Sequence, residues 1–394
     1  MQVSERSPSL GTPRAIVEDL VCFSHLRWDF VYQRPHHLMS RAVRDRRVYY
    51  VEEPLEDVAH PGLETRPDIS GVTIVLPHVR RGSAPEDMRT LVELLFAAQK
   101  IQRYVAWYYT PMALASAPAA SPVATVYDCM DELSAFAGAP PGVSDAERRL
   151  LQRADLVLAG GHSLYEAKRR LHLNMHEFPS SVDVDHFAAA RFSRPNPSDQ
   201  AAIPRPRIGF FGVLDERLDR ELLAAIAERR PDWHFVMIGP VTKIDPAVLP
   251  IAGNVHYLGP KRYAALPDYI AGWDVAMLPF ARNEATRYIS PTKTLEYLAA
   301  GRPVVSTSIC DVVTPYGEMG LARIADTPEG FVDAIASTFH DREGDWLARA
   351  DSALAEMSWD QTWSRISELL RAATIDGYVK TSAQSPLPAA ANER

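Results

Sequence analysis

The residues best suited to carry chemistry lie in the segment 283–307, which reads as a polar loop, a helix start and a return to an apolar strand. Ser290 is a favourable N-cap residue, and Pro291 suits the first helical position because it leaves no N–H unsatisfied there. The N–H groups of the next three residues point out of the helix end; these residues are Thr292, Lys293 and Thr294. Together with the helix dipole, they predict an anion site suited to a phosphate.

Two charged side chains extend this predicted site. Lys293 adds a formal positive charge beside the phosphate. Glu296 lies about one turn further along the helix, where its carboxylate could accept hydrogen bonds from vicinal sugar hydroxyls. The alternative is an ordinary helix start in which Lys293 and Glu296 form a surface pair three residues apart.

A second group of candidates follows an apolar run at 20–24, in the segment HLRWDFVYQRPHHL. Four of its side chains are suited to contact a sugar face, a hydroxyl or a phosphate; they are His25, Arg27, Trp28 and Arg34. The alternative is that Trp28 and Phe30 only pack a domain interface. His36 and His37 are predicted to be helix positions without a role in the site.

The segment VYDCMDEL (126–133) is a third candidate, since it places acids directly after an apolar run. Asp128, Asp131 and Glu132 are consistent with paired carboxylates for acid–base chemistry, with a Mg²⁺ site or with an N-cap cluster. We expect Asp128 to contact an acceptor, with Tyr127 beside it.

These segments need elements that bring them together. In the first half, apolar runs predict strands near 20–24, 47–51, 72–76, 104–109, 123–128, 155–160 and 175–181. Helical stretches alternate with them, one beginning at Pro35 and others spanning 86–101, 144–153 and 163–172. Repeated strand–helix units with apolar strands predict a parallel sheet covered on both faces.

Residues 194–206 carry four prolines and no strand or helix pattern, which is typical of a linker. The alternation then restarts, with predicted strands at 207–213, 234–240, 254–260, 274–280 and 303–307 and helices at 221–229, 266–271 and 292–300. The predicted fold class is α/β, with two doubly wound Rossmann-like domains at 16–193 and 207–358 and a disordered tail at 375–394. Such sheets bind ligands beyond the carboxyl ends of their strands, so we expect the site in the cleft between the domains.

The chain has 394 residues, more than one hydrophobic core usually serves. A composition of 46% hydrophobic and 23% charged residues excludes a disordered, collagen-like or coiled-coil protein. The net charge of −8 argues against a dedicated nucleic-acid binder. Three distant cysteines and the absence of a signal or membrane-spanning pattern indicate the cytoplasm, with at most peripheral contact to a membrane.

The segment SPTKTLEYLAAGRPVVST resembles the donor-binding segment of retaining glycosyltransferases of the GT-B fold, notably glycosyltransferase family 4 and its bacterial cell-surface-polysaccharide relatives. Four further segments are similar to that family in the same order: FPSSVDVDHF (178–187), RIGFFGVLDERLDRELL (207–223), NVHYLGPKRYAALPDYIAGWDVAMLPF (254–280) and MSWDQTWSRISELL (357–370). The last one resembles a closing helix, here 359–374, that packs back towards the first domain.

The resemblance implies roles for particular residues. It implies that Glu296 holds the nucleotide ribose and that an earlier glutamate contacts the donor sugar. Tyr288 stands at that earlier position, and Glu284 is the nearest upstream acid. Tyr127 likewise stands where the family often has a histidine.

The resemblance also implies that the loop after Gly212 meets the donor diphosphate through two cations. Val213 and Leu218 occupy their positions, so we expect Arg217, one residue away, to replace them. The alternative for Arg217 is a solvated arginine at a helix start.

The resemblance implies a retaining, metal-independent hexosyltransferase that needs no cofactor and takes a nucleotide sugar, which we expect to be UDP-linked rather than GDP-linked, as donor substrate. The residues expected to take part in catalysis are Lys293, Arg217, His25 and Asp128. The expected acceptor is a hydroxyl of a glycan, a lipid-linked molecule or a small molecule, and no nucleic acid is expected as a partner. The alternatives are a non-hydrolysing nucleotide-sugar epimerase of the same fold and a non-catalytic subunit of a polysaccharide-assembly complex.

Overall fold

The computed structural model describes residues 18–340 and 345–384, which form two α/β domains. The strands of the first domain are β1 (Asp19–Phe23), β2 (Val48–Val51), β3 (Gly62–Pro67), β4 (Thr73–His78), β5 (Tyr104–Tyr108), β6 (Ala124–Cys129), β7 (Leu156–Ala159) and β8 (Met175–Glu177). The helices before the second sheet are α1 (Arg34–Ala42), α2 (Ala84–Gln99), α3 (Val143–Arg153), α4 (His162–Lys168), α5 (Val184–Ala188) and α6 (Ser198–Ala201).

The second domain repeats this architecture. Its strands are β9 (Arg207–Phe211), β10 (His234–Ile238), β11 (Val255–Gly259), β12 (Val275–Leu278), β13 (Val304–Ser306) and β14 (Ala322–Ile324). The later helices are α7 (Arg220–Arg229), α8 (Leu266–Ala271), α9 (Thr292–Ala299), α10 (Cys310–Val312), α11 (Pro328–His340), α12 (Trp346–Leu354) and α13 (Trp359–Gln384).

The first sheet has the strand order β3-β4-β2-β1-β5-β6-β7-β8. All neighbouring strands run parallel except β3 and β4, which are antiparallel. The sequence did not predict β3, because an edge strand exposed on much of its surface carries no apolar run. The predicted doubly wound sheet is otherwise confirmed.

The second sheet has the order β11-β10-β9-β12-β13-β14, and every neighbouring pair is parallel. Its central strands are buried along their whole length, as parallel strands between two helical layers must be. The edge strand β14 was missed because a strand of three residues, one buried and two half-buried, gives no periodic signal.

The proline-rich stretch 194–206 differs from the predicted linker. It contains α6, and the Gln200 side chain is fully buried. Its Nε2 donates to the carbonyl of Tyr269 at 3.0 Å, and its Oε1 accepts from the indole N–H of Trp273 at 2.9 Å. Because a buried amide needs such partners, this segment is anchored to the second domain rather than free.

Helix α13 is longer than the predicted closing helix, since it continues to Gln384 instead of ending at residue 374. A polar segment can remain helical because each residue still satisfies its backbone within the helix. The tail predicted at 375–394 is therefore wrong for residues 375–384, and residues 385–394 lie outside the described chain.

The first half of α13 packs against the first domain, as the resemblance implied. The Trp363 ring lies 6.3 Å from that of Trp107 in β5, and the Trp359 ring stacks at 4.5 Å on His37 of α1. Both tryptophans belong to the core on one face of the first sheet. The first half of α13 is thus held against the first domain, although it follows the second domain in sequence.

The domains also meet where α10 faces the start of α4. The Asp311 carboxylate accepts a hydrogen bond from the backbone N–H of Ser163, at 3.0 Å. Gly161 precedes α4, and a Cβ atom there would overlap both Asp311 and Ser290. The close approach of the second domain therefore requires glycine at this position.

We expect Trp363→Ala to lower the free energy of unfolding by about 3–5 kcal/mol, because it removes a large buried ring from the first-domain core. Urea denaturation measures the change. Ser364→Ala, at the neighbouring exposed position of α13, is the matched control and should change the free energy by less than about 0.5 kcal/mol. Equal stability of the two variants would contradict the packing of α13.

Candidate active site in the interdomain cleft

A cleft of about 580 Å³ lies between the carboxyl ends of the two sheets. The first domain contributes residues 28–34 after β1, together with His36 and His37. The second domain contributes 210–213 after β9, 238–240 after β10 and 260–263 after β11, and the first turn of α9 completes the lining. This is the place where doubly wound sheets bind ligands.

Helix α9 begins at the predicted residue 292, but Pro291 occupies the N-cap position instead of the first helical position. Thr292 is its first residue, and Pro291 precedes it in an extended conformation without a side-chain cap. Ser290 does not act as the N-cap, because it lies against Gly161 in the contact between the domains. Of the predicted phosphate-binding residues, Thr292 and Lys293 line the cleft, whereas Thr294 is fully buried below it.

The Lys293 side chain lies across Gly212 at the end of β9. Gly212 has φ +145°, and a Cβ atom there would overlap Cε of Lys293. The lysine is also within electrostatic range of Glu296 and Arg217. Desolvation lowers the pKa of Lys293, and the negative charge of Glu296 opposes that effect. An anion beside this ammonium group would restore the interactions that it loses on leaving water.

Glu296 lines the cleft one turn further along α9, with 8% of its surface exposed. Burial raises the pKa of its carboxyl to about 7, although the charge of Lys293 opposes the shift. The helix itself is tied to the first strand of the domain, because the backbone N–H of Phe211 donates to the Tyr297 hydroxyl at 3.0 Å. The predicted pair Lys293 and Glu296 is therefore brought together in the cleft, not on an exposed surface.

Arg217 also lines the cleft and is not a solvated arginine. Its Nε and Nη2 donate to the two carboxylate oxygens of Asp215, at 3.0 and 2.6 Å. Its guanidinium carbon lies 5.4 Å from the centre of the Phe136 ring, which the first domain contributes. Leu218, which occupies the position where the resemblance implies a cation, is buried.

His25 sits half-buried at the end of β1. Desolvation, helped by the positive charge of Lys243, lowers the pKa of this imidazole to about 4. The ring is therefore neutral near pH 7, where it can accept a hydrogen bond but is a weak proton acceptor. Lys243 comes from the second domain, and nothing in the sequence singled it out.

Arg27 and Trp28 are both held by Glu52. Arg27 Nη1 donates to Oε2 at 3.0 Å, and the backbone N–H of Trp28 donates to Oε1 at 2.8 Å. The Trp28 ring is 7% exposed and packs 4.4 Å from His36. Trp28 borders the cleft, but most of its ring is used for packing, as the alternative interpretation proposed.

Asp128 does not face the cleft, which corrects the expectation that it contacts an acceptor. It is fully buried, and Nε of Arg34 donates to both of its oxygens at 3.0 and 3.1 Å. A second nitrogen of Arg34 donates to the carbonyl of Phe178 at 2.7 Å. Since side chains alternate along β6, Tyr127 points to the other face, where its hydroxyl donates to Glu147 at 2.7 Å.

Asp131 is the acid of this segment that faces the second domain. It lies within electrostatic range of Arg217 and Lys243, and burial raises its pKa to about 6. The loop that carries it is held by Lys168, whose ammonium group pairs with Glu132 at 2.8 Å. The sequence pattern named Asp131 but gave no reason to choose it over Asp128.

Neither candidate for the missing first glutamate lines the cleft. Glu284 has 76% of its side chain exposed and pairs with Arg287 at 3.6 Å. Tyr288 packs against the hydrophobic core of the first domain. The expected donor-sugar contact of Glu284 is therefore not present in this arrangement.

An aromatic stack that the sequence did not predict closes one end of the cleft. Tyr263 of the second domain stacks on Tyr32 of the first at 4.5 Å and on His186 at 4.3 Å. His37, expected to have no role, packs against the same ring at 5.7 Å. Aromatic residues spaced far apart in sequence carry no local signal of such a contact.

Among the side chains of residues 18–340 and 345–375, no group of three or more His, Cys, Asp or Glu residues is arranged to hold a metal ion. Within the same ranges, no helix has the length and apolar character required to cross a membrane.

The amino-acid sequence and the fold were compared with known proteins. Residues 205–341 match the family model described as glycosyl transferases group 1. A putative teichuronic acid biosynthesis glycosyltransferase of Bacillus subtilis, TuaH, is 28% identical over 235 residues. That match covers 56% of this chain and 59% of the relative.

Three solved structures with similar folds cover most of the chain. Sucrose-phosphate synthase from Thermosynechococcus elongatus has a TM-score of 0.66 at 12% identity, covering 91% of this chain and 100% of the other. The E. coli trehalose-6-phosphate protein bound with UDP-2-fluoro glucose also has a TM-score of 0.66 at 12% identity, covering 89% of this chain and 99% of the other. Anabaena HepE in complex with UDP and glucose has a TM-score of 0.62 at 13% identity, covering 89% of this chain and 99% of the other.

These likenesses confirm the resemblance drawn from the five sequence segments. The described chain has the GT-B fold, and residues 205–341, which include most of its second domain, are similar to the group 1 glycosyl transferases.

Proposed function

We propose that this protein is a glycosyltransferase that moves a hexose-type sugar from a nucleotide sugar to an acceptor hydroxyl. The observation that carries the proposal is the placement of Lys293 and Glu296 on successive turns at the start of α9, both lining the cleft. Both residues lie in the domain that matches the group 1 glycosyl transferases.

On the donor side, Lys293 and the first N–H groups of α9 bind the diphosphate, and Arg217 adds a second cation. Arg217 reaches the ligand by exchanging its bonds to Asp215 for bonds to phosphate oxygens. Glu296 accepts hydrogen bonds from the ribose hydroxyls. These groups stabilise the negative charge that develops on the departing diphosphate.

On the acceptor side, the hydroxyl approaches between the two domains, near His25 and Asp131. The bond between the anomeric carbon and the diphosphate oxygen breaks, and a bond to the acceptor oxygen forms on the same face of the sugar. The departing phosphate oxygen takes the acceptor proton, so the transfer retains configuration without a separate base. The cleft limits hydrolysis by excluding water.

A UDP-linked donor is favoured because structures of the same fold were solved with UDP-2-fluoro glucose and with UDP. The name of the Bacillus subtilis relative supports an acceptor on a cell-surface polysaccharide, and lipid-linked or small-molecule acceptors are further candidates. We infer that the reaction takes place in the cytoplasm, without a metal or cofactor and with at most peripheral contact to a membrane.

A panel of nucleotide sugars tests the donor. We expect a UDP-sugar to raise the unfolding temperature, since a ligand at 100 times its Kd stabilises the folded state by about 2.7 kcal/mol. GDP-sugars at the same concentration are the control. Product formed from the donor without any acceptor would indicate the epimerase instead, and binding without transfer to any acceptor would indicate a non-catalytic subunit.

We expect Lys293→Met to lower kcat by about 10²–10³-fold, because it removes a charge that stabilises the leaving diphosphate while keeping a chain of similar length over Gly212. Sugar transfer from the donor found in the panel is the measured quantity. Arg229→Met removes an exposed positive charge from the same domain and should leave kcat unchanged. Unimpaired transfer by Lys293→Met would overturn the assignment of the diphosphate site.

We expect Glu296→Gln to stabilise the protein while impairing its activity. Because the pKa of Glu296 is raised to about 7, ionising this carboxyl destabilises the folded state as the pH rises towards that value. The neutral glutamine should therefore raise the free energy of unfolding by roughly 1–3 kcal/mol at pH 8 and by nothing at pH 4, where the acid is already protonated. Nucleotide-sugar affinity should fall by about 10–100-fold.

Glu284→Gln is the matched control for this variant. It replaces an exposed acid twelve positions earlier, so both stability and affinity should stay as in the wild type. If Glu296→Gln bound the nucleotide sugar as tightly as the wild type does, the ribose contact would be wrong.

A further inference from the structure

A second cavity, of about 810 Å³, lies at the end of the first-domain sheet opposite the cleft. It is lined where β1 and β2 begin, by Asp19, Arg46 and Arg47, and by residues that precede β4 and β5. The cleft lies beyond the other end of β1, which spans five residues or roughly 16 Å. The two cavities are therefore separate sites.

The lining of this second cavity is strongly basic, although the whole chain has a net charge of −8. Two carboxylates, Asp19 and Asp45, face five cations: Arg44, Arg46, Arg47, Lys100 and Arg103. Three of the cations are paired with acids; the pairs are Arg44 with Asp360, Arg47 with Asp19 and Arg103 with Glu18.

The remaining two cations have no such partner. Nε and Nη1 of Arg46 are buried and form no hydrogen bond within the described ranges of the chain. Desolvation lowers the pKa of Arg46, and the positive charge of Arg371 lowers it further. The negative charges of Glu18 and Asp45 oppose this shift. Lys100 has φ +54°, an uncommon conformation for lysine, and its ammonium group pairs with no carboxylate in the part of the structure described.

Arg46 is half-buried, and the two buried nitrogens of its guanidinium group are costly to leave without partners unless a ligand brings acceptors to the group. Phosphate oxygens suit it, because arginine and lysine form short, charge-assisted hydrogen bonds with them. We propose that this cavity binds a phosphate group through Arg46 and Lys100. The group is carried either by a small dissolved anion or by a lipid headgroup.

Pyrophosphate is the probe for the dissolved anion, and calorimetry of the full chain measures its binding. Arg46→Gln should weaken this binding by about tenfold or more, and Arg46→Lys should restore most of it. Arg148→Gln removes an exposed arginine of α3 and is the matched control. Pyrophosphate bound in the interdomain cleft contributes equally to both glutamine variants, so their difference reports on this cavity.

Lys100→Asn provides a second variant that does not depend on Arg46→Gln folding correctly, because asparagine tolerates the same backbone conformation. It should also weaken pyrophosphate binding. The proposal is overturned if both cavity variants bind pyrophosphate and vesicles exactly as Arg148→Gln does.

Sedimentation with vesicles distinguishes the two sources of the phosphate group. Vesicles of phosphatidylcholine with phosphatidic acid should bind the wild type but not Arg46→Gln if a lipid headgroup is the ligand, whereas phosphatidylcholine alone should bind neither. Pyrophosphate binding without vesicle binding identifies a dissolved anion. Failure of the wild type to bind either probe would contradict the proposal.

Discussion

The structure of the candidate site depends on holding a lysine and a glutamate away from bulk water in the first two turns of α9. Burial lowers the pKa of Lys293 and raises that of Glu296, so both charged forms are less stable than in water. Helix α9 is held in this position by the hydrogen bond from the backbone N–H of Phe211 in β9 to the Tyr297 hydroxyl. A ligand with a diphosphate and vicinal hydroxyls would complement both charges.

The first domain supports the cleft in a different way. Its charged residues next to the cleft pair mainly with one another: Arg34 with Asp128, and Arg27 with Glu52. Each charge in such a pair is compensated by its partner, and removing one partner would leave the other charge unpaired. These residues therefore position the wall of the cleft instead of contacting a ligand. Asp131 differs, because it faces the cations of the second domain.

The two domains are held together around the cleft by contacts between residues far apart in sequence. Helix α13 returns the chain to the first domain through Trp359 and Trp363, and Asp311 meets the start of α4 on another side. Tyr263 stacks across the cleft on the first domain. Because these contacts involve both domains, they fix the distance between the two walls of the cleft.

The sequence by itself determined the two parallel sheets, the cleft and the pair Lys293 and Glu296, because apolar runs and a helix start are local patterns. It led us to expect Asp128 at the cleft, whereas the side chain of Asp128 is buried because that face of β6 packs against Arg34. The edge strands, the anchored linker and the aromatic stack were likewise decided by tertiary structure. Burial and pairing arise from residues distant in the chain, and only folding brings those residues into contact.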